Sequence, residues 1–305
     1  MGRGRGLRFG AALRGAALTR FSHFAAIDWS GAAGPRQKGI AVAACAAGRD
    51  APELVRLGHI WSRMEVLDWL LALDGDWLVG LDLSPSLAFA DCGAFFPGWD
   101  RSPSDVRRLW ALVEEIAAGE PHLGANRFVD HPEASRHFRR HGGRCGDLFP
   151  PGAGRFRVVE DASREQGLCN PYSNFNLVGA AQVGKSSLTG MRLFHRIDGK
   201  LPIWPYDPVP ERGPVVVEIY TSIAATAAGL KRGRTKIRDP HTLDGALAQL
   251  GSESHRPLAR YDDHATDAIL AAAWLRAVAH NEGLWRPHRL TPELARTEGW
   301  TFGVR

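Results

Sequence analysis

Three carboxylates stand where apolar strand-like runs end or break. Asp28 closes Phe24-Ala-Ala-Ile27, Asp82 closes Trp77-Leu-Val-Gly-Leu81, and Glu218 interrupts a run from Val215 to Tyr220. A charge within an apolar strand must find a partner or take up a proton, because burying it bare costs several kcal/mol. Asp28 precedes Trp-Ser-Gly and Asp82 precedes Leu-Ser-Pro, so each of these two has a plainer alternative, an Asx-turn. Glu218, among β-branched residues, has no such outlet. A further group lies in Tyr261-Asp-Asp-His-Ala-Thr-Asp267-Ala. On a helix, Asp263, His264 and Asp267 share one face, being four and three residues apart. Complementarity to the helix dipole, worth ~0.3–1 kcal/mol, accounts for Asp262 and Asp263 in the first turn. It does not account for Asp267, one turn further in and followed by the apolar stretch Ala268–Trp274.

Carboxylates from a first strand, a neighbouring strand and a late helix suit a hard divalent cation such as Mg²⁺ or Mn²⁺, which takes one or two protein carboxylates together with substrate phosphate and water. Two such ions ~3.5–4 Å apart can activate a water and stabilise the leaving oxygen of a phosphodiester. Metal-dependent phosphodiester cleavage is therefore the chemistry this pattern would serve.

The elements that must position these groups follow from periodicity. Phe24–Asp28, Gly39–Cys45 and Leu54–Trp61 read as three strands joined by tight polar turns, hence as antiparallel hairpins. Ser62 and Glu65 form a capping box ahead of a helix. Trp77–Asp82 and Val215–Tyr220 have the continuous apolar character of buried parallel strands. A helix is predicted from Ser102-Pro103 to about Gly119, with Ser102 as its cap. Two more follow at Asp239–Leu250 and about Asp262 to His280. Residues 120–213, rich in scattered Gly and Pro and carrying the basic cluster Arg136, Arg139, Arg140 and Arg144, read as an insertion. The expectation is an α/β fold in which a mixed sheet, three antiparallel hairpin strands plus two parallel strands, occupies a domain spanning 21–305.

Composition excludes disorder, collagen-like repeats and coiled coils: 44% of the 305 residues are hydrophobic and 23% charged. Apolar runs fall short of the ~18 residues a membrane span needs. The net charge of +5 comes from residues 1–20, which hold five arginines and no acid, so the rest of the chain is formally neutral. That segment reads as a flexible basic tail. Four cysteines without a C-x-x-C pair are compatible with a reducing, cytoplasmic setting. The ten tryptophans read mostly as core, with Trp29, directly after Asp28, as the exception. Lys231–Arg238 packs five cations into eight residues, either a solvated face or a grip on a phosphate backbone.

Hairpins, a helix, an acid-ended strand, a second strand and an Asp-rich helix, in that order, resemble the ribonuclease H-like fold. His264-Ala-Thr-Asp267-Ala resembles the last motif of RuvC-type resolvases, in which His or Asp precedes the final catalytic Asp by three residues. More specifically the chain resembles the domain-of-unknown-function family 429, described as ribonuclease H-like nucleases. The matching stretches are Ala26-Ile-Asp28-Trp-Ser30-Gly, Gln182-Val-Gly184-Lys-Ser-Ser-Leu188-Thr-Gly190, Trp204-Pro-Tyr-Asp207, Val217-Glu-Ile-Tyr220 and Asp262-Asp-His-Ala-Thr-Asp267-Ala. The resemblance implies catalytic roles for Asp28, Asp82, Asp267 and His264, metal ligation by Asp28, Asp82 and Asp267 with Asp263 in support, and Glu218 near the site. The chain departs from resolvases in carrying Asp82 where they usually carry Glu.

One motif competes. Residues 179–186 match the phosphate-loop pattern G-x-x-x-x-G-K-[ST] letter for letter. Such a loop needs a buried strand before it and a helix after it, and residues 169–178 offer too short an apolar run. Lys185 is then a candidate substrate contact within the first reading. The alternatives to a nuclease are a non-catalytic binding protein that keeps the fold, and an ATP-binding enzyme using the 179–186 segment.

Overall fold

The computed structural model describes residues 20–178, 183–231 and 236–305; residues 1–19, nearly all of the expected tail, lie outside the described residues. The strands are β1 His23–Asp28, β2 Ala41–Ala46, β3 Glu53–Leu54, β4 Trp77–Asp82, β5 Ile203–Trp204 and β6 Val215–Glu218. The helices are α1 Arg63–Leu71, α2 Val106–Ile116, α3 Asn126–Val129, α4 Val158–Glu165, α5 Val183–Ile197, α6 Thr221–Ala227, α7 Pro240–Gln249, α8 Asp263–Val278, α9 Glu282–Trp285 and α10 Pro292–Arg296. The strands form one mixed sheet in the order β3-β2-β1-β4-β6-β5. β1, β2 and β3 pair antiparallel, whereas β1 with β4, β4 with β6, and β6 with β5 are parallel. Among the described residues no helix is long and apolar enough to cross a membrane.

Strand alternation divides the sheet's side chains between two cores. Ala25, Ile27, Val79, Leu81 and Val216 face one layer with α1, α2 and α5. Phe24, Ala26, Leu78, Val215 and Val217 face the other, with α6, α7 and α8. α8 is rich in small residues, and Ala268, Ala271, Ala272 and Ala273 are all fully buried. Its approach to the sheet depends on Gly80 in β4. A Cβ at that position would lie 2.7 Å from Ile219 and 2.9 Å from Leu275 of α8. At the far end of α8, buried Arg276 donates to the carbonyls of Ala46 and Asp50 and to the Ser252 hydroxyl, fixing the helix to the turn after β2.

Three expectations need correction. The third hairpin strand is only two residues long, because the chain turns at Val55–Gly58, where Arg56 and Gly58 have positive φ and Leu57 is exposed. A strand that short blunts an open sheet edge. α2 starts three residues later than predicted, capped by Asp105, which accepts from the Arg108 amide; Ser102 instead accepts from the Phe96 amide. The segment 120–213 also adds β5 to the parallel side, a strand too short to register in the hydrophobic pattern. The capping box at Ser62 and Glu65 is present, and β4 spans Trp77–Asp82 as read from the sequence.

Gly80→Val should lower the melting temperature, overpacking of this kind costing ~1–3 kcal/mol. An unchanged thermal unfolding curve would show that α8 does not depend on that close approach.

Candidate carboxylate site

Parallel pairing sets Asp28 directly opposite Asp82, both at the C-terminal ends of their strands. Both fall on the α8 side, in alternation with Phe24 and Ala26 on β1 and with Leu78 and Gly80 on β4. α8 packs across β1 and β2 and brings its first turns to this edge. His264 Nδ1 lies 3.0 Å from Asp28 Oδ2. Asp82 is held by one residue that the sequence reading did not select: the Thr221 hydroxyl donates to Oδ2 at 2.9 Å and its amide to Oδ1 at 3.4 Å. Thr221 opens α6 directly after the β6 segment, and a hydroxyl residue at a strand-to-helix junction was the available signal.

The electrostatics tie the acids into one group. Burial raises the pKa of Asp28, and the hydrogen bond from His264 opposes that rise. Burial, the Asp28 charge and the Asp267 charge together push Asp82 up to about 8, against the two hydrogen bonds from Thr221. Asp267 is pushed up to about 7 by burial and by Asp28. The hydrogen bond to Asp28 raises His264 in turn, even though burial works against it. The Asp28 charge thus raises both Asp82 and Asp267, while His264 supplies a positive charge at Asp28. Carboxylate oxygens are hard donors of the kind that Mg²⁺ or Mn²⁺ takes.

The structure does not bring every expected residue into this group. Asp263 turns to Lys236 and to Arg238, whose Nη2 lies 2.6 Å from its Oδ1. Helical spacing gave Asp263 the face of Asp267, but nearby cations capture its carboxylate first. Asp262 caps α8 by accepting from the Ala265 amide. Among the described residues no group of three or more His, Cys, Asp or Glu side chains is arranged to hold a metal ion.

Glu218 lies across from Leu81, and alternation sends it to the opposite face from Asp28 and Asp82. There it is buried and serves structure. Arg157, fully buried, donates from Nη1 to Glu218 Oε2 at 2.9 Å and from Nε to Glu160 Oε1 at 3.1 Å. Ser84 and Thr301 hydroxyls also donate to Glu218. A lone Arg between Phe156 and Val158-Val159 was the readable sign of a buried cation awaiting Glu218.

Of the phosphate-loop match, residues 179–182 lie outside the described residues. Gly184, Lys185 and Ser186 belong to the first turn of α5, and the described chain just before carries only an isolated bridge, Arg139 to Asn176, rather than a strand. The first turn of α5 instead packs on the loop that follows Asp28. The Gly31 amide donates to Ser186 Oγ at 3.1 Å, and a Cβ on Gly31 would lie 2.8 Å from that of Lys185. Lys185 thus stands beside the loop leaving Asp28. Trp29 is core: it is 4% exposed and donates through Nε1 to Thr189 Oγ1 of α5 at 3.0 Å. In the basic run 231–238, residues 232–235 lie outside the described residues, and Lys236 and Arg238 are the partners of Asp263.

Comparison with protein-family models, with curated proteins and with solved structures finds no match.

Two measurements check this assignment. Asp82, ordinarily near 3.8, is held near 8 in the fold, so between those values the folded state binds a proton that the unfolded chain releases, and stability falls as pH rises. His264, also raised, acts in the same direction above its ordinary value. In EDTA the melting temperature should therefore fall from pH 5 to pH 8, and Asp82→Asn should flatten that fall; a slope matching the wild type contradicts the assignment. On the other face, Glu218→Ala should cost roughly 3 kcal/mol or more in chemical denaturation by leaving part of Arg157 unpaired, and a loss below 1 kcal/mol would contradict its structural role.

Proposed function

We propose that this chain is a divalent-metal-dependent phosphodiesterase acting on nucleic acid, built on a ribonuclease H-like sheet. The observation that carries the reading is the register pairing of Asp28 with Asp82 at one end of parallel strands, with the Asp28 charge acting on both Asp82 and Asp267 of α8. An antiparallel triplet joined through β1 to parallel β4, with an acid-bearing helix laid across β1, is the arrangement that reading requires.

Asp28 and Asp82 would hold Mg²⁺ or Mn²⁺, a two-carboxylate donor set of the kind Mg²⁺ uses when substrate and water complete its shell. When bound, the cation would polarise a phosphoryl oxygen and lower the pKa of water. Thr221 fixes the rotamer of Asp82 through both of its donors. Asp267 adds negative charge alongside the pair, favouring a cation over a proton as the counter-charge. His264 shares a proton with Asp28 through Nδ1, and its exposed ring leaves Nε2 to meet a substrate oxygen. Its raised pKa keeps it protonated closer to neutral pH, where it can supply a proton to a departing oxygen.

The purified chain should cut labelled DNA or RNA oligonucleotides in Mg²⁺ or Mn²⁺ and lose that activity in EDTA. Asp28→Asn and Asp82→Asn should each reduce the rate by at least about 100-fold, as expected for groups acting on developing charge. Each should also abolish the rise in melting temperature that Mn²⁺ gives the wild type. Cleavage persisting in EDTA, or at the wild-type rate in Asp28→Asn, would sink the proposal.

A further inference from the structure

The insertion carries a groove of about 540 Å³, lined among others by Arg139, Arg140, His141, Cys145, Phe149 and Val178. Its charge is unbalanced. Arg140 lies 2.9 Å and Arg144 3.7 Å from the same carboxylate, Asp130. Arg139 is exposed and has no ion-pair partner among the described residues. Among the described residues Arg139 and Arg140 line the groove and no carboxylate does, so Asp130, shared between Arg140 and Arg144, leaves the lining net positive. By contrast, the neighbouring Arg136 is fully engaged by Asp147 and Glu133. The volume falls in the range of pockets that accept a small organic group, and Phe149 brings an aromatic ring to the same wall.

The groove is linked to the carboxylate site by a short series of contacts. The Arg139 amide donates to Phe175 O at 3.0 Å, and the Leu177 amide donates back to Arg139 O at 2.9 Å. That 174–177 segment packs under the first turn of α5: Ser187 Oγ donates to Asn174 Oδ1 at 3.1 Å, and a Cβ on Gly184 would meet Asn174 O and Leu177. The same turn carries Lys185, which has no ion-pair partner among the described residues, and Ser186, bonded to Gly31 three residues after Asp28.

From this continuity we infer that the groove binds single-stranded polynucleotide downstream or upstream of the cleaved bond, with Arg139 and Arg140 on backbone phosphates, an unpaired base against Phe149, and Lys185 on the phosphate between groove and acids. The inference rests on the phosphodiesterase reading and extends it to substrate class. Phosphates supply the negative charge that the arginines lack, and base stacking on an aromatic ring is open only to an unpaired strand.

The test reads binding without turnover. Full-length protein carrying Asp28→Asn, in EDTA, is titrated against fluorescein-labelled 20-mers of dT and rU and a 20-bp duplex, by anisotropy from 50 to 300 mM KCl. Arg139→Glu should weaken single-strand binding at least tenfold and reduce the magnitude of the salt slope by about 0.7, one single-strand phosphate contact. Phe149→Ala should weaken it at least about fivefold. Arg101→Glu, an exposed position paired with Glu115 and not among the residues that line the groove, should stay within twofold. The dT and rU arms identify which strand chemistry the groove accepts. Affinity within twofold of the parent in Arg139→Glu, an equal loss in Arg101→Glu, or tighter binding of the duplex overturns the groove assignment and leaves the hydrolase reading intact. Arg139-dependent binding by a wild-type chain that cuts nothing in Mn²⁺ does the reverse.

Discussion

Parallel pairing of β1 with β4 forces two carboxylates into the same row of the sheet, and much of the local architecture answers that constraint. Asp28 and Asp82 cannot both ionise freely where they are. His264 reaches one from α8, Thr221 holds the other from α6, and each opposes the burial that would protonate its partner. Lys236 and Arg238 come near but are drawn off by Asp263, so they moderate Asp267 only from a distance. Acidic side chains are thus concentrated at the sheet's end, where His264 answers Asp28.

The two faces of the sheet use acids for opposite purposes. On the α8 face the carboxylates lie close to one another and their pKa values rise. On the other face Glu218 and Glu160 surround a fully buried guanidinium, and hydroxyls from Ser84 and Thr301 complete the coordination. One step of strand alternation separates the two environments: Leu81 and Glu218 point one way, Asp82 the other. A buried ion pair is weak evidence of net stability even when so fully satisfied, and it keeps Glu218 apart from the carboxylates of the other face.

Much of this was legible in the residues. Acids ending apolar runs located Asp28 and Asp82, and helical spacing placed His264 and Asp267 toward the strand ends, because those signals are local and periodic. Glu218 was legible as buried but not as belonging to the other face, since facing depends on the register with β4, which no local pattern encodes. Asp263 was misjudged for a related reason: its partners come from a loop some twenty-five residues away. Trp29, the exception among the tryptophans in the sequence, is core for the same reason: Thr189, far along the chain, accepts its indole proton. The short strands β3 and β5 exist because neighbours pair with them, not because their sequences demand extension.

Arg157 also bears on how separable the parts of this molecule are. It belongs to the segment that interrupts the sheet pattern, yet its guanidinium meets Glu218 on a central strand and the carbonyl of Glu298 near the last turn of the chain. Excising that segment to isolate a smaller core would leave Glu218 buried without its arginine. In this protein the interruption is therefore not a graft on a self-sufficient scaffold: modularity visible in the linear pattern is lost in the electrostatics, and any shortened version would have to replace the cation before it could keep the sheet.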